Sequence, residues 1–112
     1  MCLFCKIAAK QIPARILFED GDLVAFHDVN PVAPTHVLII PRQHVTSLSD
    51  GAPEHAELFG KLLLATSRAA SLAGIAEGGY RVVVNSGADA GQSVFHLHVH
   101  VLGGRPLAWP PG

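Results

Sequence analysis

Charge is scarce in this 112-residue chain: Asp, Glu, Lys and Arg together make up 15%, against 49% hydrophobic residues. That balance excludes a disordered chain and predicts one globular domain with one core, residues 1–112, ending in a tail at 105–112. Eight Lys and Arg stand against nine Asp and Glu, a formal charge of −1, and no basic run occurs. A protein that tracks a phosphate backbone needs a basic face, so no nucleic acid is expected, and any phosphate ligand is small. No stretch reaches the roughly 18 apolar residues of a membrane span. The opening "MCLFCKIAAKQIP" lacks the basic stretch of a secretory leader, so a cytoplasmic protein is expected. Two cysteines are too few for a disulfide scaffold.

What is present reads as short elements. Residues 4–11 suit a short helix ended by Pro13. "RILFEDGDLVAF" (15–26) reads as a hairpin in which Asp20-Gly21 supplies the positive φ of a type I′ turn. "NPVAPT" (30–35) is a proline-punctuated loop, and "HVLIIP" (36–41) a strand. Residues 54–73 form the long helix, with Leu58, Leu62, Ala65, Ala69 and Leu72 at steps of three and four. Pro53 suits its first turn, Glu54 and Glu57 its positive end, and Gly74 its stop. "YRVVVN" (80–85) and "FHLHVHVL" (95–102) are strands, the second ended by Gly103-Gly104. The order predicts an α+β domain: a five-stranded, mostly antiparallel sheet with one short and one long helix on one side. "VLII" and "RVVV" would be sticky as open edges, so a dimer is expected.

Within "SVFHLHVHVLGG" (93–104), His96, His98 and His100 recur at every second position. In a strand that spacing puts three imidazoles on one face, about 7 Å apart. Leu97, Val99 and Val101 then point to the core. A single histidine there would read as structural; three in register point to chemistry. One reading is a metal site, since neutral imidazole is a common ligand. The other is nucleophilic attack by a neutral imidazole on phosphorus or carbonyl carbon. The preceding "NSGADAGQS" (85–93) is polar and holds Gly87 and Gly91, so its backbone can approach an anion, though it also serves as a plain turn.

"QSVFHLHVHVLGGRP" closely resembles the His-x-His-x-His-x-x signature of the histidine triad superfamily, and more narrowly its nucleotide-binding branch. "IPARILFEDGDLVAFHDVNPVAPTHVLIIP", "GYRVVVNSGADAGQS" and the tail "WPPG" carry the resemblance along nearly the whole chain. It implies a homodimer whose two five-stranded sheets join, and binding of purine nucleoside monophosphates such as AMP. It implies a phosphoramidase, a hydrolase that cleaves the P–N bond of AMP–amine conjugates. His98 would be the nucleophile and His100 would bind phosphate, with His36 completing the histidine network and His96 at its edge. Ser93 and Gln92 would contact phosphate or leaving group, and Asn85 and Gly91 would help hold the phosphate. Asp28 would grip the ribose, with Phe18, Phe26, His27 and Val29 around the base. From the residues alone, Asp28 also reads as a cap on the loop before Pro31, His36 as a surface histidine, and Phe18 and Phe26 as core. His55 is assigned no role. Histidine attack needs no paired carboxylates, and only Asp89 lies near the triad. With no Walker-type loop or magnesium carboxylates, the chemistry is expected to need no metal cofactor.

"CLFC" (2–5) reads as a redox pair, half a zinc site or two unrelated residues. A thioredoxin-like motif would need a strand before it and a longer helix after it. Some bacterial members of the superfamily pair such a motif with a histidine like His44. The resemblance therefore implies a structural zinc at Cys2, Cys5, His44 and His96. It also implies that Trp109, in the tail, reaches toward the partner's site. Other readings stay open: a dinucleoside polyphosphate hydrolase or nucleotidyl transferase, a nucleotide-binding regulatory protein, or a histidine metal site on a sheet.

Overall fold

The strand Thr35–Pro41 is apolar at consecutive positions because both of its faces are covered. In this computed structural model, which describes residues 2–112, it is the centre of a sheet. The elements run α1 (Leu3–Ala8), β1 (Ile16–Glu19), β2 (Leu23–His27), β3 (Thr35–Pro41), two single 3-10 turns (Leu48–Asp50 and Pro53–His55), α2 (Ala56–Leu72), β4 (Tyr80–Val83) and β5 (Val99–Gly103). The sheet is antiparallel throughout, in the order β1-β2-β3-β5-β4. The five-stranded α+β architecture is the expected one.

The helices do not share a side. Ala25, Val37, Ile39, Val99 and Val101 pack with Leu62, Ala65 and Ala69 of α2. On the opposite face Val24, Phe26, Leu38 and Ile40 pack with Phe4, Ile7 and Ala8 of α1. The correction follows from β3 itself: a strand apolar at every position from Val37 to Pro41 needs cover on both faces. The α1 stripe at Phe4, Ile7 and Ala8, spaced three and four apart, supplies it.

Two local expectations are also corrected. The β1–β2 turn is not built on a positive φ, since Gly21 is absent from the left-handed region that other glycines occupy. Instead Asp20 Oδ1 accepts the N–H groups of Asp22 (2.8 Å) and Leu23 (2.9 Å) and closes the turn through its side chain. Leu72 is 55% exposed rather than core. The buried stripe of α2 runs Leu62, Ala65, Thr66, Ala69, Ala70, with Leu58 half-buried. Gly74 does end the helix, at φ +77°: its N–H donates to Ser71 O (3.2 Å) and that of Ile75 to Ala70 O (3.0 Å).

The last strand starts later than its alternation predicts, at Val99. The register explains why: β4 ends with Val83 opposite His100, so nothing on that side pairs residues 95–98. There the chain leaves the ladder, and the Leu97 N–H donates to Val45 O (2.6 Å) in a loop. The alternation of sides survives this departure. Leu97 stays in the α2 core, while His96 and His98 are buried on the other side, with Phe4 against both rings. Among the described residues no helix is long and apolar enough to cross a membrane.

Candidate active site

Pairing of β3 with β5 sets Leu38 opposite His100 and His36 opposite Leu102. His36 and His100 are thus diagonal neighbours on the α1 side, and His36 Nε2 lies 2.8 Å from His100 Nδ1. Their hydrogen-bond partners order the protons. The Val32 N–H can only donate, and it donates to His36 Nδ1 (3.2 Å). Neutral His36 therefore carries its proton on Nε2 and gives it to His100 Nδ1. His100 must then hold its own proton on Nε2, a buried atom with no partner. One ring away, His98 Nδ1 lies 2.7 Å from the His96 carbonyl oxygen, which can only accept. His98 is therefore protonated on Nδ1, and its Nε2 carries a free lone pair. Two adjacent imidazoles, with ring centroids 5.1 Å apart, end up with opposite offers: a nucleophile on His98 and a donor on His100.

Burial favours the neutral forms of His100 and His36. His100 is pushed down to about 4, chiefly by desolvation and then by its neighbours His98 and His36, with Asp28 opposing. Desolvation also lowers His36, against the pull of Asp28. Asp28 Oδ1 caps the turn by accepting the Asn30 N–H (2.8 Å), while Oδ2 stands 3.5 Å from His36 Nε2. Asp28, His36 and His100 also sit close enough to hold a metal. The proton order argues against that: a metal on His36 Nε2 would force the proton to Nδ1, against the Val32 N–H.

These side chains open on a pocket of about 540 Å³. His36, His98, His100, Ser93 and Asp28 line it, together with Phe26, His27 and Val29. Burial lowers the His27 pKa. Other expected residues lie elsewhere. Phe18 belongs to the α2 core, under the Arg68 guanidinium 4.2 Å from its ring centroid, because alternation along β1 turns it to the opposite face. Asn85 and Gly91 do not line the pocket. Gln92 is buried and fully engaged with backbone: Oε1 accepts the Gly87 N–H, and Nε2 donates to Thr46 O and Val94 O. It shapes the loop rather than facing a ligand. Much of the apolar lining comes from residues the sequence reading passed over: Leu3, Phe4 and Ile7 of α1, with Ile12, Pro13 and Ala14 after it. The apolar stripe of α1, Phe4, Ile7 and Ala8, was the signal available.

His96 faces away from this pocket, into a second cluster. Its Nδ1 lies 3.3 Å from Cys2 Sγ, 3.4 Å from Cys5 Sγ and 3.1 Å from His44 Nδ1. His44 Nδ1 is 3.6 Å from Cys2 Sγ and 3.2 Å from Cys5 Sγ. The four ligand atoms lie within 4.8 Å of one another. Tetrahedral zinc, with bonds of about 2.3 Å to sulfur and 2.0–2.1 Å to nitrogen, separates S from N by roughly 3.6 Å and N from N by roughly 3.3 Å. The donor set fits. His96 is also prepared for it, since Nε2 lies 2.8 Å from Pro41 O, an acceptor only. That holds the proton on Nε2 and leaves the Nδ1 lone pair among the sulfurs.

An imidazole of His98 whose Nδ1 is tied to a carbonyl, beside the buried imidazole donor of His100 on the interior strand β5, defines a histidine-based site. The HIT domain matches residues 9–107, and the chain belongs to that family. It is 49% identical over 102 residues to Protein HitA of Neisseria gonorrhoeae, covering 91% of this chain and 94% of that one. It is 47% identical over 112 residues to a 14 kDa zinc-binding protein of Zea mays, covering 98% and 87%. The crystal structure of a HIT family hydrolase from Legionella pneumophila superposes with a TM-score of 0.97 at 46% identity, over 100% of both chains.

Proposed function

We propose that this protein is a purine nucleoside phosphoramidate hydrolase of the nucleotide-binding branch of the family. The observation that carries the reading is the proton order: a free lone pair on His98 Nε2 beside an unpartnered N–H on His100 Nε2. The kinship to a HIT family hydrolase supports it. The pocket divides accordingly, with the imidazoles and Ser93 for phosphate and leaving group, Asp28 for the ribose hydroxyls, and apolar walls for the base.

The His98 Nε2 lone pair attacks the α-phosphorus as the P–N bond breaks, and the amine leaves with the bonding pair and takes a proton from solvent, which the water that later hydrolyses the intermediate returns. The His100 Nε2–H hydrogen-bonds a phosphoryl oxygen, where negative charge grows. Water then attacks the phosphorus of the nucleotidyl-histidine, freeing His98 and the nucleoside monophosphate. His36 keeps His100 in the donating tautomer. None of these steps needs a metal at the reacting atoms. Cys2, Cys5, His44 and His96 would hold a structural zinc, which would clamp four side chains rather than touch substrate. The open edge of β4, with Tyr80 and Val82 partly exposed, joins that of a second copy to give the homodimer. Trp109, 80% exposed, then extends toward the partner's site.

The test is AMP release from an AMP–amine phosphoramidate. Wild type should release AMP, and His98→Ala should lose release while still binding AMP. If His98→Ala retains turnover, the mechanism fails. If wild type binds AMP but cleaves only dinucleoside polyphosphates, the leaving group is wrong and the nucleophile stands.

A further inference from the structure

Helix α1 has two jobs in one six-residue element. Leu3, Phe4 and Ile7 form a wall of the pocket, and the Phe4 ring meets His98 edge to face at 5.0 Å. The same segment supplies both sulfurs, Cys2 at its N-cap and Cys5 one turn on. Six residues make too few hydrogen bonds to hold a helix in water. It is attached by the apolar contacts of Phe4, Ile7 and Ala8 on the sheet, by the Arg42 guanidinium donating to Ala8 O (2.8 Å) at its far end, and by the convergence of Cys2 and Cys5 on His44 and His96 at its start. His96 in turn touches the nucleophile, because its carbonyl accepts the His98 Nδ1–H at 2.7 Å. One residue, His96, thus holds both the metal cluster, through its Nδ1, and the His98 imidazole, through its carbonyl oxygen.

We propose that Cys2, Cys5, His44 and His96 are positioning residues: metal bound there fixes α1 as the pocket wall and holds His98 in its attacking tautomer, so that metal and nucleotide bind cooperatively. The nucleotide half rests on the function proposed above; the positioning half does not. Cooperativity of this kind is reciprocal. If zinc tightens AMP binding by some factor, AMP tightens zinc by the same factor.

The experiment compares chelator-stripped and zinc-reconstituted protein by three readouts. Backbone hydrogen exchange over residues 3–9 reports the wall, the ¹H–¹⁵N imidazole signal of His98 reports the Nδ1–H bond, and titration gives AMP affinity. Zinc affinity is read by chelator competition, with and without AMP. Zinc should protect residues 3–9, sharpen the His98 Nδ1–H signal and tighten AMP binding on the order of tenfold, with an equal gain in zinc affinity from AMP. The double variant Cys2→Ser/Cys5→Ser should match stripped wild type and ignore added zinc. Failure to take up zinc, zinc binding that leaves exchange and the His98 signal unchanged, global unfolding on stripping, or a zinc response in the double variant would each overturn the proposal. If zinc orders α1 and His98 but neither form binds AMP, the positioning role stands and the nucleotide reading falls.

Discussion

His100 stays uncharged well below the usual histidine range, and this makes the fold acid-sensitive in a calculable way. Its pKa is about 4 in the folded protein against 6.5 for a free imidazole. Because the folded value is the lower one, the unfolded chain takes up a proton near pH 6.5 and the folded chain does not until about pH 4. Stability therefore rises with pH across that window and is lost as pH falls through it, by about 1.4 kcal/mol per unit for one group. At pH 4.5 the loss from His100 amounts to roughly 2–3 kcal/mol relative to pH 7, and below about pH 4 this group takes no more. His36, also lowered by burial, contributes in the same direction. The perturbation is His100→Gln, which keeps a polar side chain and removes the titration. The assay is urea unfolding of zinc-stripped protein at pH 7 and 4.5, for wild type and variant. The absolute stability of the variant does not matter; the drop between the two pH values does. It should be smaller in the variant by roughly 2–3 kcal/mol, since the acidic side chains are common to both and cancel. Equal drops would mean that His100 is not held neutral, and would remove the physical basis for its donor role.

Other outcomes follow from the same geometry. Gly104 sits at φ +93°, and an added Cβ would stand 2.8 Å from Pro34 Cβ, so Gly104→Ala should destabilise by roughly 1–3 kcal/mol in thermal or urea unfolding. Phe18→Leu should lower stability by about 1 kcal/mol and leave AMP affinity unchanged, whereas Phe4→Ala should weaken AMP binding, both read by titration. His36→Phe removes the donor to His100 Nδ1 and should lower kcat by ten- to a hundredfold with a smaller effect on KM, measured as AMP release.

Periodicity exposed the parts of this molecule that periodicity builds. The α2 stripe, the β1–β2 hairpin and the alternation of Leu97, Val99 and Val101 against the histidines all follow from side-chain spacing, and each is found. What spacing could not supply was the side on which α1 lies, because six residues show a stripe but not its partner. Nor could it separate Phe18 from Phe26, which differ only in which strand face each occupies. The resemblance brought His36, Asp28 and the CxxC into the reading, and the pocket and metal cluster gather them. It also brought Gln92 and Asn85 toward the phosphate, where the structure spends Gln92 on backbone carbonyls. The tautomer order depends on a main-chain N–H at Val32, and no side-chain pattern encodes where a loop amide points.

The pairing of β3 with β5 brings together His36 and His100, which stand 64 residues apart in the chain. Everything between them, including α2 and β4, must be threaded before the last strand can take its place. A register slip of one residue there would turn His100 to the wrong side of the sheet. His36 and His100 therefore meet only when this longest-range strand pairing closes. On the function proposed above, activity recovered during refolding would count molecules that have completed this pairing rather than merely collapsed ones.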